Sequence, residues 1–282
     1  MSYSDADLLD ARLAAPRRPG RWVSAAFTLL LAAMLVHSLL TNQRFQWSVV
    51  GQYFTSSSVL DGLELTLWLT AATMAAGFVL GVVLAYIRLW GSPIPRSFAF
   101  GFVWLVRSVP LLVQLLFWYE LASLYPRLSF GIPFGPSFGS TDTAHLFSGE
   151  LAAFITLTLD VAAFASEIVR GGILSVDRGQ SEAAAALGLG RLRIFWRVVL
   201  PQAMPAIVPA TGNLLIGTLK STSLVSVIAV VDLLYSVQLI YNADFEIVPL
   251  LLVATIWYVI LTTLLSIGQY YIERYYSRGA GR

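Results

Sequence analysis

The polar residues most able to do chemistry stand inside apolar stretches of this sequence. Asp160 lies in the apolar run 150–173, and Lys220, the sole lysine, interrupts another run. Charged groups are expensive at membrane depth and usually serve a task there. A carboxylate could therefore contact a substrate ammonium, and a lysine could attract a carboxylate. The alternatives are a structural ion pair or interhelical hydrogen bond for Asp160, and a structural or gating role for Lys220.

Further pathway candidates occupy other apolar runs. Arg107, Gln114 and Glu120 share one run with Pro110, which frees a backbone carbonyl that a guanidinium or amide could bond. Thr222 and Ser223 follow the lysine, where hydroxyl groups can satisfy backbone groups at a helix break. For these two hydroxyls, structural use and substrate contact remain equal alternatives.

Glu167 and Arg170 form a different kind of candidate. They are three residues apart, so a helix brings them together as an i, i+3 pair. Because they stand near the end of their run, we expect them to anchor the following loop rather than to contact substrate.

The sequence lacks the residues that catalysis or metal binding would need. The chain has no cysteine and two histidines, His37 and His145, far apart in sequence. There is no paired-acid, His-rich or Ser/His/Asp cluster that would support a membrane-embedded enzyme. The single lysine follows Leu219, outside any glycine-rich phosphate-binding motif. We therefore expect no metal, no cofactor and no ATP hydrolysis in this chain.

Composition indicates the elements that position these residues. Of 282 residues, 57% are hydrophobic and 12% are charged, about half the charged fraction of a soluble domain. The long apolar runs predict an all-α integral membrane protein rather than a barrel. Five spans are expected at 22–41, 63–87, 99–125, 150–173 and 247–272.

The region 202–241 is ambiguous, and the distribution of arginines decides how often it crosses. Placing the tail 1–21 in the cytoplasm also puts Arg88, Arg96 and the stretch 175–202 inside. The arginines of the tail 274–282 should be inside as well. Region 202–241 must then cross once, either as a broken crossing or as one crossing followed by a re-entrant or outer-surface helix. About six spans result, with both termini cytoplasmic.

Two flanking segments leave alternatives open. The first apolar run could be a signal peptide, but its length and the absence of a convincing cleavage site favour an uncleaved anchor. The segment 127–148, rich in glycine, proline and aromatic residues, is expected on the outer surface. It is either a tether or a docking surface for an external protein.

The stretch 175–202 is the most polar part of the chain between spans. A turn at 177–179 precedes an alanine-rich helix expected over 180–187, which Gly188 and Gly190 end. A basic, aromatic segment 191–200 follows, closed by Pro201. This pattern predicts a water-exposed helix-turn-helix whose small residues suit docking into a partner's cleft.

The same stretch carries a specific motif. Glu182, Ala183, Ala184 and Gly188 are followed, after nine residues, by the sequence VVLP ending in Leu200 and Pro201. This resembles the pattern E-A-A-x3-G-x9-I-x-L-P in the cytoplasmic loop of permease subunits of binding-protein-dependent ABC importers. The segments RSVPLLVQ from Arg107, EIVRGGI from Glu167, RGQSE from Arg178 and LKSTSL from Leu219 resemble those of the polar amino acid (His, Glu, Gln, Arg and opine) permeases. Departures are Phe164 where tyrosine is common, and Asp160 where asparagine is frequent.

The resemblance implies a five-span permease domain at 56–273, preceded by an extra helix and outer loop at 22–55. It implies that the loop transmits the closure of a cytoplasmic ATPase to the spans, through Arg178, Gly179, Gln180, Glu182, Ala183, Ala184, Gly188, Leu200 and Pro201. The implied partners are two ATPase subunits using Mg-ATP, a second permease subunit (identical or similar), an external substrate-binding protein and a polar amino acid. Nucleic acid is not an expected partner. The implied location is the bacterial cytoplasmic membrane. A stand-alone secondary transporter or channel is the alternative, although no clear internal repeat supports it.

Overall fold

The computed structural model describes residues 19–132, 134–143 and 147–277. Helices dominate, and one hairpin is present in the described residues. The helices are α1 (Pro19–Thr41), α2 (Trp47–Tyr53), α3 (Ser57–Trp90), α4 (Pro93–Ser108), α5 (Leu111–Tyr119), α6 (Leu121–Leu124), α7 (Gly149–Leu174), α8 (Arg178–Ala186), α9 (Arg191–Ile194), α10 (Leu200–Ser221), α11 (Leu233–Asp244) and α12 (Ile247–Ser277). The strands are β1 (Arg127–Gly131) and β2 (Ser137–Asp142), and 3₁₀ turns cover Gln43–Phe45 and Thr222–Ile228.

The predicted all-α membrane class is confirmed. Among the described residues, five helices are long and apolar enough to cross a membrane, and a bent pair raises the number to six. The five are Gly20–Thr41, Ser57–Trp90, Gly149–Leu174, Arg191–Ile228 and Ile247–Tyr276. Residues 1–18 and 278–282 of the two tails lie outside the described residues, so the orientation of the termini stays a prediction.

The chain divides into two compact units, Met1–Gln46 and Trp47–Arg282. In the first unit, α1 is a single apolar helix whose described side chains are almost all exposed. The second unit holds the other candidate spans, all the candidate pathway residues and the stretch 175–202.

The packing of α3 against α7 is the centre of the second unit, and two glycines on α3 permit it. A Cβ atom on Gly77 would lie 2.6 Å from the Cβ atom of Val161, and one on Gly81 would lie 2.6 Å from that of Ala165. Glycines four residues apart let membrane helices approach closely, so that van der Waals contact replaces the missing hydrophobic driving force. Alanines of α7 are fully buried along this contact.

Gly81→Ala is expected to destabilise the chain by about 1–3 kcal/mol, since the new methyl group would also lie 2.9 Å from the rigid Ala162 carbonyl oxygen. The matched control is Gly101→Ala in α4, where nothing lies within 4 Å and the alanine should stabilise the helix slightly. Thermal unfolding in detergent checks both. Equal melting temperatures for the two variants would contradict the close packing.

The prediction of one uninterrupted span at 99–125 is wrong. Most of these residues lie in two helices, α4 and α5, whose axes are bent by 103° relative to each other. The break falls at Val109 and Pro110, because proline cannot donate the helical hydrogen bond. The buried side-chain amide of Gln114 donates to the carbonyl oxygens of Val106 and Val109, each at 2.8 Å, and so satisfies groups that the bend exposes.

The prediction that Pro201 ends the basic segment is also wrong. One continuous helix runs over Arg191–Ile228, with a π-helical turn at Phe195–Val199 and with Pro205 and Pro209 inside α10. In the π turn the Leu200 amide bonds the Phe195 carbonyl. Pro201 therefore falls where the helix already departs from its regular hydrogen-bond pattern, which accommodates a residue without an amide proton.

Region 202–241 contains this one long helix and then a separate shorter one. The long helix ends at Ala229, which has a positive φ of 58°, and α11 begins after Asp232. This arrangement matches the second alternative, a crossing followed by another helix. A re-entrant or outer-surface position for α11 stays a prediction.

The segment 127–148, for which no strand was predicted, contains an antiparallel hairpin. Arg127 pairs with Asp142 across the strands, and their side chains form an ion pair of 3.2 Å. The register shifts between Phe130 and Gly131, next to the turn. A docking role for this hairpin stays a prediction.

Candidate functional site

The stretch 175–202 forms a compact helix-turn-helix on the second unit. The Asp177 carboxylate accepts a hydrogen bond of 2.6 Å from the Gly179 amide and caps α8. The helix therefore begins at Arg178, two residues before the predicted start, and ends at Ala186. Gly188 then turns the chain with a φ of +77°, a conformation that favours glycine.

The surface of this loop combines small and apolar side chains with positive charge. Glu182 and Ala183 are exposed, whereas Ala184 is buried within the loop itself. Leu187, Leu192 and Trp196 are 83%, 73% and 59% exposed. Three arginines stand among these apolar side chains, Arg191, Arg193 and Arg197. Leu192 and Trp196 line one shallow concavity with these arginines, and exposed apolar side chains gathered on a polar loop mark an interaction surface.

Leu200 and Pro201, at the end of the motif, lie inside the long helix that leads away from the loop. The rings of Trp90 and Phe195 meet edge to face at 5.9 Å. The loop is thus tied both to α10 and to the end of α3.

A cluster of arginines surrounds Glu167 near the same end of the spans. The Glu167 carboxylate lies 2.8 Å from an Arg88 nitrogen, 2.8 Å from Arg170 and 3.5 Å from Arg107. Glu167 and Arg170 thus form the expected i, i+3 pair, but Arg88 and Arg107 bring α3 and α4 to the same carboxylate. Arg107 also lies over the Phe164 ring, 5.3 Å from its centroid. The structure therefore places Arg107 with Glu167; its pathway role stays a prediction.

The residues around Lys220 form a second polar group. Lys220 lines a cavity of about 340 Å³ together with Ser223, Thr255, Tyr258, Val259 and Thr262. The Thr222 hydroxyl donates to the Leu219 carbonyl, and the Ser223 hydroxyl to the Lys220 carbonyl, each at 2.7 Å. Both hydroxyls bond the backbone where α10 changes to a 3₁₀ turn. The helix is continuous at these residues and ends at Ala229, beyond the predicted break.

Asp160 stands apart from both groups. It is half-buried on α7, and within the described part of the chain its carboxylate has no hydrogen bond or ion pair. No salt bridge joins it to Lys220 there. Glu120 is exposed at the junction of α5 and α6, where it accepts a hydrogen bond of 2.7 Å from Ser123. An unpartnered carboxylate on a span is available for a ligand.

Two buried charged residues, Arg88 and Asp232, were not identified from the sequence as structural positions. Arg88 was read only as a sign of topology, yet its side chain is 8% exposed and bonds Glu167; its place in an apolar run was the available signal. Asp232 is fully buried, caps α11 through the Tyr235 amide at 2.9 Å, and accepts a hydrogen bond of 3.3 Å from Tyr258. An aspartate directly before an apolar helical run is a usual N-cap.

Metal binding finds no support in the described residues, which contain no cluster of three His, Cys, Asp or Glu side chains. The apolar spans, the bent helix pair and the exposed loop between two spans define a multi-span helical membrane protein. Comparison with known proteins identifies its family: the chain belongs to the binding-protein-dependent transport system inner membrane components, whose model matches residues 77–278. The resemblance read from the motifs is confirmed.

Individual relatives agree with this assignment. The chain is 41% identical over 269 residues to an arginine transport system permease protein of Corynebacterium glutamicum, covering 94% of this chain and 83% of that protein. It is 30% identical to a glutamine transport system permease protein of Escherichia coli K12, covering 82% and 97%. A crystal structure of an amino acid ABC transporter with histidines superposes with a TM-score of 0.65 at 30% identity, covering 77% of this chain and 93% of that one.

Proposed function

We propose that this chain is the permease subunit of an ATP-driven importer of polar amino acids and that its loop 175–202 couples it to a separate ATPase. The observation that carries the coupling is the exposed apolar patch on that loop. Leu187, Leu192 and Trp196 are exposed in the single chain, and a partner's groove would bury their apolar surface. The loop is also continuous with the helix Arg191–Ile228, so a displacement of the loop is passed to a span.

The substrate class follows from the relatives. Permeases named for arginine, nopaline and glutamine transport are 41%, 35% and 30% identical to this chain. All three substrates carry an α-ammonium and an α-carboxylate with a polar side chain. The carboxylate of Asp160 matches the charge of the ammonium, and the ammonium of Lys220 matches that of the carboxylate. The hydroxyls of Thr222 and Ser223 beside Lys220 can bond a polar side chain.

The other subunits of the transport complex are assigned from the family. A pair of ATPase subunits hydrolyses Mg-ATP, a second permease subunit completes the pathway, and an external binding protein delivers the amino acid. The permease lies in the bacterial cytoplasmic membrane with both termini inside. The arginines of loop 175–202 support this orientation, since positive loops stay cytoplasmic.

Co-purification with the ATPase tests the proposal most directly. The complex, in vesicles with its binding protein, should hydrolyse ATP faster when polar amino acids are supplied. Leu187→Asp should weaken co-purification, because it places a charge in the patch that the ATPase would cover, while Phe138→Asp, at an exposed position of the hairpin, should leave it intact. Amino acid uptake by the purified chain alone, driven by a proton or sodium gradient, would instead establish a secondary transporter.

Asp160→Asn tests the substrate contact. If the carboxylate meets the substrate ammonium, its loss should reduce amino acid-stimulated ATP hydrolysis about 10–100-fold, equivalent to about 1.4–2.8 kcal/mol. A reduction confined to basic substrates would assign the contact to the side chain, and an equal reduction for all would assign it to the α-ammonium. Unchanged stimulation, with the exposed Glu150→Gln at the start of the same helix as control, would remove Asp160 from the pathway.

A further inference from the structure

A basic pocket lies at the end of α3, beside the start of α4. It has a volume of about 440 Å³ and is lined by Arg88, Arg96, Ser97, Phe100 and Arg170. The Arg96 side chain donates from Nε to the Arg88 carbonyl oxygen at 2.9 Å, which ties the guanidinium to this end of the helix. The pocket is therefore built from three helices and not from a mobile surface chain.

The charges of the pocket are not balanced. Glu167 neutralises one positive charge and is shared between Arg88 and Arg170, while Arg96 forms no ion pair with any described acidic residue. Three lining arginines with one bound carboxylate leave an excess of two positive charges. Such a cluster attracts an anion with several acceptor oxygens, and arginine suits phosphate in particular.

The surroundings of the pocket are apolar. Phe100 lines it, and the Arg88 guanidinium lies 5.8 Å from the centroid of that ring. Ile94 and Phe98 are exposed on the same helix, and Trp90 is exposed at the end of α3. Exposed aromatic side chains at a span's end are typical of the boundary between lipid and water. A ligand with a phosphate headgroup and apolar tails matches both the basic pocket and the apolar side chains around it.

We propose that this pocket binds the headgroup of an anionic phospholipid, with its phosphate between Arg88, Arg96 and Arg170. Basic pockets between helices at the cytoplasmic side of a membrane bind acidic headgroups by the same charge complementarity. The Trp90–Phe195 ring contact places the pocket next to the loop 175–202. The proposal is independent of coupling to an ATPase, so its test uses the permease chain alone.

The experiment measures phospholipids retained by the full chain purified in detergent, using native mass spectrometry after equilibration with equal phosphatidylglycerol and phosphatidylcholine. The wild-type chain should retain phosphatidylglycerol preferentially. Each arginine near the surface contributes about 1 kcal/mol to binding acidic lipid, so Arg96→Gln should reduce the preference about fivefold. Arg127→Gln, which removes one exposed charge from the hairpin, is the matched control and should leave the preference unchanged.

Ser97→Asp is a second variant that keeps the Arg96 hydrogen bond and adds a carboxylate to the pocket. It should abolish the preference while leaving the melting temperature unaltered. Equal retention of the two lipids by the wild-type chain, or equal losses in Arg96→Gln and Arg127→Gln, would overturn the site. Displacement of phosphatidylglycerol by millimolar inorganic phosphate alone would overturn the lipid assignment in favour of a free anion.

Discussion

Glu167→Gln is expected to destabilise the chain by about 3 kcal/mol, the largest stability effect of any single polar substitution proposed for it. The carboxylate accepts hydrogen bonds from Arg88 and Arg170 and lies 3.5 Å from Arg107. Arg88 is 8% exposed and would remain charged without its partner. The main source of the lost stability is a charged guanidinium that is shielded from water and has lost its carboxylate partner.

Thermal unfolding in detergent, together with the monodisperse fraction on size exclusion, measures this effect. Glu120→Gln is the matched control, because that carboxylate is exposed and bonds only Ser123 among the described residues. Glu167→Gln combined with Arg88→Met should recover much of the stability, since the buried guanidinium leaves together with its partner's charge. A Glu167→Gln melting temperature equal to that of the control would show that the cluster contributes no stability.

Gly188→Val is expected to lower ATP-driven amino acid uptake at least tenfold while the chain still folds. Valine is strongly disfavoured at a φ of +77°, by roughly 1–2 kcal/mol, so the turn after α8 should change its path. Nothing lies within 4 Å of a Cβ atom built at this position. The effect would therefore come from the backbone of the turn and not from a clash.

Gly190→Ala supplies the control two residues away. Its backbone is extended, with a φ of −70°, and a methyl group there also meets nothing within 4 Å. Uptake and substrate-stimulated ATP hydrolysis should be near wild type for Gly190→Ala, and Gly188→Asn should retain part of the activity because asparagine tolerates the left-handed conformation. Comparable uptake in Gly188→Val and Gly190→Ala would mean that the turn geometry does not matter for coupling.

Most of the spans and the helix-turn-helix at 175–202 could be predicted because local signals specify them. Runs of apolar residues long enough to cross a membrane identify the helices irrespective of their packing. The alanine run with Gly188 behind it identifies the loop helix, and only its first residue shifted, since Asp177 serves as the cap. The family motifs in the loop then gave the protein's class.

The parts that could not be predicted depend on contacts between distant segments. The 103° bend at Pro110 needs Gln114 to bond two carbonyls, which hydropathy does not reveal. The Arg88–Glu167 pair joins residues 79 positions apart on two helices. The hairpin depends on pairing between two short segments with little apolar alternation.

The π turn at Phe195–Val199 means that the helix Arg191–Ile228 contains about one residue more than an α-helix of the same rise. Each residue of an α-helix advances the side-chain direction by about 100°. Side chains after the π turn therefore point in directions rotated by about 100° from those that a regular α-helix would give them. A single helical wheel drawn across the whole helix places the side chains of one part on the wrong face. The basic residues of the loop and the prolines of the span each have their own orientation, set by that one additional residue.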